Sequence, residues 1–205
     1  MMSVEVQPRA VSPHKLAHVV LNTRDNFTAM MDWYQTVLNA RRIGEYAVGP
    51  GNMGLLTYDE EHHRIAIVSG PHYQPAGEGP RVGLEHIAFT YSDAADLLHT
   101  YARLKQQDAI EPTISVNHGP TTSLYYRDPE GNRVELLVDN LGMEEAIQFA
   151  HDVFDVNAIG TLYDPQAAYD ALIAGADPAT LSVCPDVSEV RPPDPAFLAI
   201  LATAG

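Results

Sequence analysis

Cysteine is nearly absent from this chain. Cys184 is the single one among 205 residues, so no intrachain disulfide can form and the fold must be held by packing. That usage leads to the expectation of a cytoplasmic protein. Long hydrophobic runs are missing as well, and no stretch is long enough to cross a bilayer. Residues 1–8 lack a basic segment followed by an apolar run, so no secretory signal is expected. Positive charge is scarce, with 12 Lys and Arg against 27 Asp and Glu and a formal net charge of −15. Binding to nucleic acid draws its affinity from cations set against phosphates, and this composition argues against that role and against an anionic membrane surface. The acidity serves solubility and suits a cationic ligand. The length is ordinary for one domain or two small ones with a sizeable core. The unusual residue type is histidine, with nine residues, several of them in strand-like positions.

The order of elements reads twice. Residues 16–22 (LAHVVLN) form a strand pattern, Asn26 is placed to cap a helix, and Phe27, Met30, Met31, Tyr34, Val37 and Leu38 recur at helical spacing. Strand-like runs follow at 41–48, 53–58 and 63–69, separated by Gly- and Asp-containing turns. After a Gly/Pro-rich connector at 70–83 the pattern restarts. Residues 84–91 (LEHIAFTY) read as a strand, Ser92 or Asp93 as a cap, and Ala94, Leu97, Leu98, Tyr101 and Leu104 as a helical face. Further strand-like runs lie near 111–116, 121–127 and 132–139. Leu16 and His18 match Leu84 and His86 at a constant offset of 68 residues, and with the matched order of elements this points to an internal duplication. The expected fold is α+β: two paired βαβββ modules at about 14–69 and 84–140, together forming one unit at 14–140. A helical extension follows at 141–175, with Asp164-Pro165 as a helix start and Gly175 as a stop. The tail at 176–205 holds five of the 15 prolines and is expected to be extended, on the surface or on a neighbouring subunit, with 196–202 (AFLAILA) anchoring its end.

Three residues carry the chemistry of this pattern. His18, His86 and Glu135 are each expected inside a strand, away from its ends. A carboxylate in mid-strand is costly to desolvate unless paired or bound to a cation. Two imidazoles and one carboxylate form the ligand set of a non-haem Fe(II) site with open positions, and Mn(II) accepts the same set. Glu135 also has ordinary partners within reach in sequence, Arg133 and Arg127. The two histidines, however, occupy equivalent places in the two halves, as donors around one shared cavity would.

The segment 116–135, VNHGPTTSLYYRDPEGNRVE, is the most specific signal in the chain. Through His118, Leu124-Tyr125, Asp128-Pro129, Gly131 and Glu135 it resembles the signature of the type I extradiol ring-cleavage dioxygenases of the vicinal oxygen chelate superfamily. The resemblance covers about residues 14–140, and the helical segment after it looks like that of the small one-domain members. It implies that Glu135 is a metal ligand together with His18 in LAHVVLNT and His86 in LEHIAFTY. It implies that His118 and Tyr125 touch substrate. It also implies an acid–base histidine, matched by His63 in HHRIAIV, with His72 as the competitor. The implied reaction is Fe(II)-dependent opening of a catechol ring by O2, with both oxygen atoms entering a muconic-semialdehyde-type product. The partners expected are a catechol-type small molecule, O2 and further copies of the chain as a homo-oligomer. Two other functions share the fold. A glyoxalase-like lyase or epimerase usually takes a fourth protein ligand from the last strand of the first half, which offers Ile65, Ile67 and Val68 and no carboxylate. A cationic-drug-binding protein would suit the negative charge but has no need for His18, His86 and Glu135. Cys184 is expected to be inert.

Overall fold

In each half one face of the sheet is buried against helices; the other is open on strands Val19–Thr23, Arg41–Val48 and His86–Tyr91, whereas strands Thr121–Arg127 and Arg133–Asp139 are buried on both faces. The computed structural model describes residues 10–75 and 82–204. Residues 1–9, over which no secretory signal is expected, the centre of the connector at 76–81 and Gly205 lie outside the described residues.

In the first half, β1 (Val19–Thr23), α1 (Phe27–Leu38), β2 (Arg41–Val48), β3 (Gly51–Thr57) and β4 (Ile65–Ser69) make a four-stranded sheet in the order β1-β4-β3-β2. The second half repeats this with β5 (His86–Tyr91), α2 (Ala94–Gln107), β6 (Ile114–Asn117), β7 (Thr121–Arg127) and β8 (Arg133–Asp139), in the order β5-β8-β7-β6. In both sheets the first strand runs parallel to the last and the other neighbours are antiparallel. The helical faces read from the sequence are the buried ones: Met30, Met31, Tyr34 and Val37 of α1, and Ala94, Leu97, Leu98, Tyr101 and Leu104 of α2. One core joins all of these but Leu98 to Leu56, Ile65, Ile67, Leu124, Tyr126, Val134 and Leu136, so both sheets bury the same kind of face against the helices.

The capping residues divide. Asp93 caps α2 by accepting from the Asp96 amide, and Asp164 caps α4 (Pro165–Ile173) by accepting from the Gln166 and Ala167 amides. Asn26 does not cap α1. Its side-chain amide donates to Glu130 at 3.0 Å, and Thr23 also bonds Glu130. Beside this contact, the Tyr34 hydroxyl donates to Asp128 at 3.0 Å in a buried bond. Desolvation raises the Asp128 carboxyl above its ordinary range, and burial with the neighbouring carboxylate raises the Tyr34 phenol. The turn at 128–131 therefore shapes the β7–β8 hairpin and also fastens the second module to the helix and first strand of the other.

After β8 the chain forms α3 (Met143–Asn157) and then β9 (Thr161–Leu162), a two-residue strand that pairs with β6 and makes the second sheet five-stranded. Helix α4 packs on α2. The tail is more structured than the sequence suggests. Two short 3-10 turns (Pro178–Thr180 and Val187–Glu189) lead into α5 (Pro195–Ala204). Phe197 of α5 is buried on the open face of the chain's own second sheet, against Ile114, Val116 and Tyr125. Burial of one such side chain contributes about 1.5–3 kcal/mol toward seating this segment. Among the described residues no helix is long and apolar enough to cross a membrane.

Candidate active site

Glu135 is the third residue of β8 and lies directly across from Tyr125 of β7 and Ala88 of β5. It is 5% exposed, yet its carboxylate is fully engaged. Oε1 accepts from the Tyr125 hydroxyl at 2.9 Å, and Oε2 stands 2.9 Å from His86 Nε2. His86 shares the open face because it lies two residues before Ala88. Its other ring nitrogen, Nδ1, bonds Glu85, which is held in turn by Arg133 at 2.6 Å. The Arg133 guanidinium lies 4.6 Å from the centroid of the Tyr125 ring. The competing assignment of Glu135 to Arg133 or Arg127 is therefore not what the structure shows.

The row continues beyond Tyr125. His118 Nε2 lies 2.9 Å from the Tyr125 hydroxyl, and His118 Nδ1 lies 2.6 Å from the Ile159 carbonyl. A carbonyl only accepts, so Nδ1 carries the proton there and Nε2 of the neutral ring is an acceptor. Tyr125 has one hydroxyl proton and two neighbours able to take it, His118 Nε2 and Glu135 Oε1. Burial, ahead of the neighbouring charges, lowers the His118 pKa and favours the neutral ring. Burial and the Glu135 carboxylate raise the Tyr125 phenol, which keeps its proton. One proton thus serves two short contacts. The position of His118 depends on close backbone packing: Gly119 (φ +96°) lies against Phe149, and Gly160 (φ +96°) lies against the Asn117 carbonyl, so a Cβ at either would collide.

The first sheet presents a different group. His18 immediately precedes β1 and is exposed, and His86 opens β5; neither lies in mid-strand as the sequence suggests. The parallel ladder starts at Val19 with Ile65; before it the Val19 amide donates to the Arg64 carbonyl at 3.0 Å, and the Arg64 guanidinium donates to the carbonyls of Leu16 and Ala17. His63 lies in the segment 58–64 between β3 and β4. Its ring packs 4.3 Å from that of His18 and 4.4 Å from that of His62. Burial, with the two neighbouring imidazoles acting in the same direction, lowers its pKa. His72 instead packs on Tyr73, at 4.1 Å between centroids. Of the two candidates for the acid–base role, His63 is the one beside His18.

The structure therefore joins His86, Glu135, Tyr125 and His118, and separately joins His18 with His63. Among the described residues no three His, Cys, Asp or Glu side chains stand together to hold a metal ion. The pair on the second sheet nevertheless has the chemistry of half a metal site. Two ligand atoms each about 2.1 Å from one ion and at right angles are about 3 Å apart, the separation of His86 Nε2 and Glu135 Oε2. A carboxylate on the far nitrogen, as Glu85 provides, is the usual support of a ligating histidine. Glu85 and the Ile159 carbonyl are the site groups the sequence reading missed. An acidic residue directly before a strand histidine was the available signal for the first; nothing in the sequence marks the second.

A family profile described as the Glyoxalase/Bleomycin resistance protein/Dioxygenase superfamily matches residues 15–136. The chain is 43% identical over 164 residues to biphenyl-2,3-diol 1,2-dioxygenase 2 of Rhodococcus globerulus, covering 78% of this chain and 83% of that one. It is 42% identical over 175 residues to biphenyl-2,3-diol 1,2-dioxygenase 3 of the same organism, covering 82% and 87%. In fold it is similar to the glyoxylase/bleomycin resistance protein/dioxygenase domain from Frankia sp. EAN1pec, with a TM-score of 0.55 and 18% identity over 66% of this chain and 99% of that one.

Proposed function

The chain belongs to the Glyoxalase/Bleomycin resistance protein/Dioxygenase superfamily, and from that premise we propose that it is an extradiol dioxygenase, opening a catechol ring with O2 to a muconic-semialdehyde-type product. The observation that carries this reading is the buried Tyr125–Glu135 pair with His86 at one end and His118 at the other. The metal is Fe(II), with Mn(II) fitting the same donors. His86 and Glu135 would hold it from the second module and His18 from the first. When bound, the ion supplies open coordination positions at which a catechol and O2 can exchange the electrons that their spin states otherwise keep apart.

The side chains have distinct tasks. Glu85 orients His86 so that Nε2 faces Glu135. Tyr125 and His118 bind and orient the substrate oxygens, with the hydroxyl proton of Tyr125 able to follow charge as it develops. His63, beside His18, holds or releases a proton at an imidazole nitrogen, and its lowered pKa keeps it available as a base near neutral pH. The catalytic unit is residues 14–140, in modules 14–69 and 84–140, with 141–175 and 176–205 covering the second sheet. The protein acts in the cytoplasm as a homo-oligomer on a small molecule, without nucleic acid or membrane.

A lyase or epimerase of this superfamily would take a fourth ligand from β4. Ala66, paired with Val20 as Glu135 is with Ala88, occupies that place. The test is anaerobic reconstitution with Fe(II) or Mn(II), followed by a panel of mono- and bicyclic catechols. O2 uptake with a yellow product is expected. Tight metal binding without O2 uptake on any catechol would overturn the proposal.

A further inference from the structure

Asn157, the last residue of α3, is buried, and every donor and acceptor of its side chain is used. Its Oδ1 accepts from the Ile159 amide at 3.0 Å and from the Gly160 amide at 2.8 Å. Its Nδ2 donates to the Gly160 carbonyl at 3.1 Å and to the Arg191 carbonyl at 3.0 Å. A side-chain amide has two lone pairs and two protons, so this one is saturated and its orientation is fixed. The turn it holds, 157–160, is also pressed against the second sheet. Thr161 pairs with Asn117, and a Cβ on Gly160 would collide with the Asn117 carbonyl and the His118 Cα. The same turn carries the Ile159 carbonyl, which accepts from His118 Nδ1 at 2.6 Å.

We infer that Asn157 is a positioning residue: by fixing the Ile159 carbonyl it sets the tautomer of His118, and so makes Nε2 a proton acceptor toward the substrate. The inference rests on the dioxygenase reading and deepens it. Which imidazole nitrogen holds the proton is set by the hydrogen bond that the other makes. With the carbonyl in place the proton is on Nδ1, and the row His118–Tyr125–Glu135 has one proton for two contacts. With the carbonyl displaced, the proton is free to move to Nε2. Nε2 would then donate to the Tyr125 hydroxyl, which donates to Glu135, and each contact would have its own proton. A catechol hydroxyl arriving at His118 would meet a donor where it now meets an acceptor. The second Nδ2 proton of Asn157 reaches Arg191, so the helical extension and the tail, both outside the duplicated modules, meet at the residue that holds this tautomer.

The test reads the proton directly, by long-range 1H–15N NMR of the metal-free full chain labelled at histidine. His118 is assigned by the loss of its signals in His118→Gln. The wild type should carry the proton on Nδ1. Asn157→Ala should move it to Nε2, and Asn157→Ser, a milder change that keeps one accepting oxygen, should populate both tautomers. Asn157→Asp, which keeps an acceptor for both turn amides, should leave the proton on Nδ1. In turnover with Fe(II) and a catechol, Asn157→Ala should lower kcat/KM about tenfold, but by less than about twofold where His118 is already Gln. A wild type with its proton on Nε2 would overturn the inference. So would the wild-type tautomer in Asn157→Ala or Asn157→Ser, or losses that multiply in the double variant, as they would for a merely structural residue. If the proton behaves as expected but the loaded wild type consumes no O2 with any catechol, the dioxygenase reading falls and the hold of Asn157 on the tautomer stands.

Discussion

The two sheets are built on one plan and equipped differently. On the second, Glu85 precedes His86, Glu135 faces Ala88, and Tyr125 faces Glu135. At the corresponding places on the first, Ala17 precedes His18, Ala66 faces Val20, and Leu55 faces Ala66. The second sheet carries a buried, fully bonded acid, whereas the first has apolar Ala66 and Leu55 at the matching places and an exposed imidazole, His18, just before β1 beside His63. A repeated scaffold thus supplies two histidines at equivalent strand entrances but only one carboxylate. On the proposed reading, that asymmetry would let a metal be held without being enclosed.

The largest way to break this difference is Glu135→Ala, which should abolish metal retention and O2 uptake together, measured by metal analysis and an oxygen electrode. His63→Ala should leave metal content intact and lower kcat by about 10²-fold or more, as removal of a general acid–base group does, whereas His72→Ala should change neither. Placing the missing acid in the first sheet sharpens the contrast. Ala66→Glu has Leu55 where Glu135 has Tyr125, so it buries an unpaired charge and should cost about 3 kcal/mol or more in urea denaturation. Tyr34→Phe removes one member of a buried bond between the modules and leaves Asp128 short of a donor, at a cost of about 1–3 kcal/mol.

The smallest effect is one of pH. The folded pKa of His118 is lowered, so below the unfolded value of about 6.5 the unfolded chain binds more protons than the folded one. Its contribution to stability is therefore present above that value and is lost as pH falls through the window below it. In the metal-free protein, His118→Gln should reduce the slope of Tm against pH in that window and leave the plateau above it with little slope.

Much of this arrangement was readable in the residues. The strand and helix order follows from alternation and helical spacing. The pairing of Tyr125 with Glu135 follows from a hairpin whose turn residues, Asp128 to Gly131, fix the register. Less was readable where tertiary partners decide. His18 and His63 lie just outside their strands, where the segment before β1 is held by the Arg64 side chain and not by a ladder, which no local pattern announces. The prolines at 192, 193 and 195 suggest an extended tail, but the apolar run after them has a face, and Phe197 finds a sheet to bury it on. Asp128 and Glu130 read as turn formers; that they also grip Tyr34, Thr23 and Asn26 depends on contacts about a hundred residues apart in sequence.

That grip bears on how the protein is made. Synthesis proceeds from the N-terminus, so α1 and β1 leave the ribosome well before the turn at 128–131 exists. The earlier half then serves as a dock waiting for a late arrival. Glu135 lies a few residues past the turn, so a nascent chain lacks its acid until nearly two thirds of it has been translated.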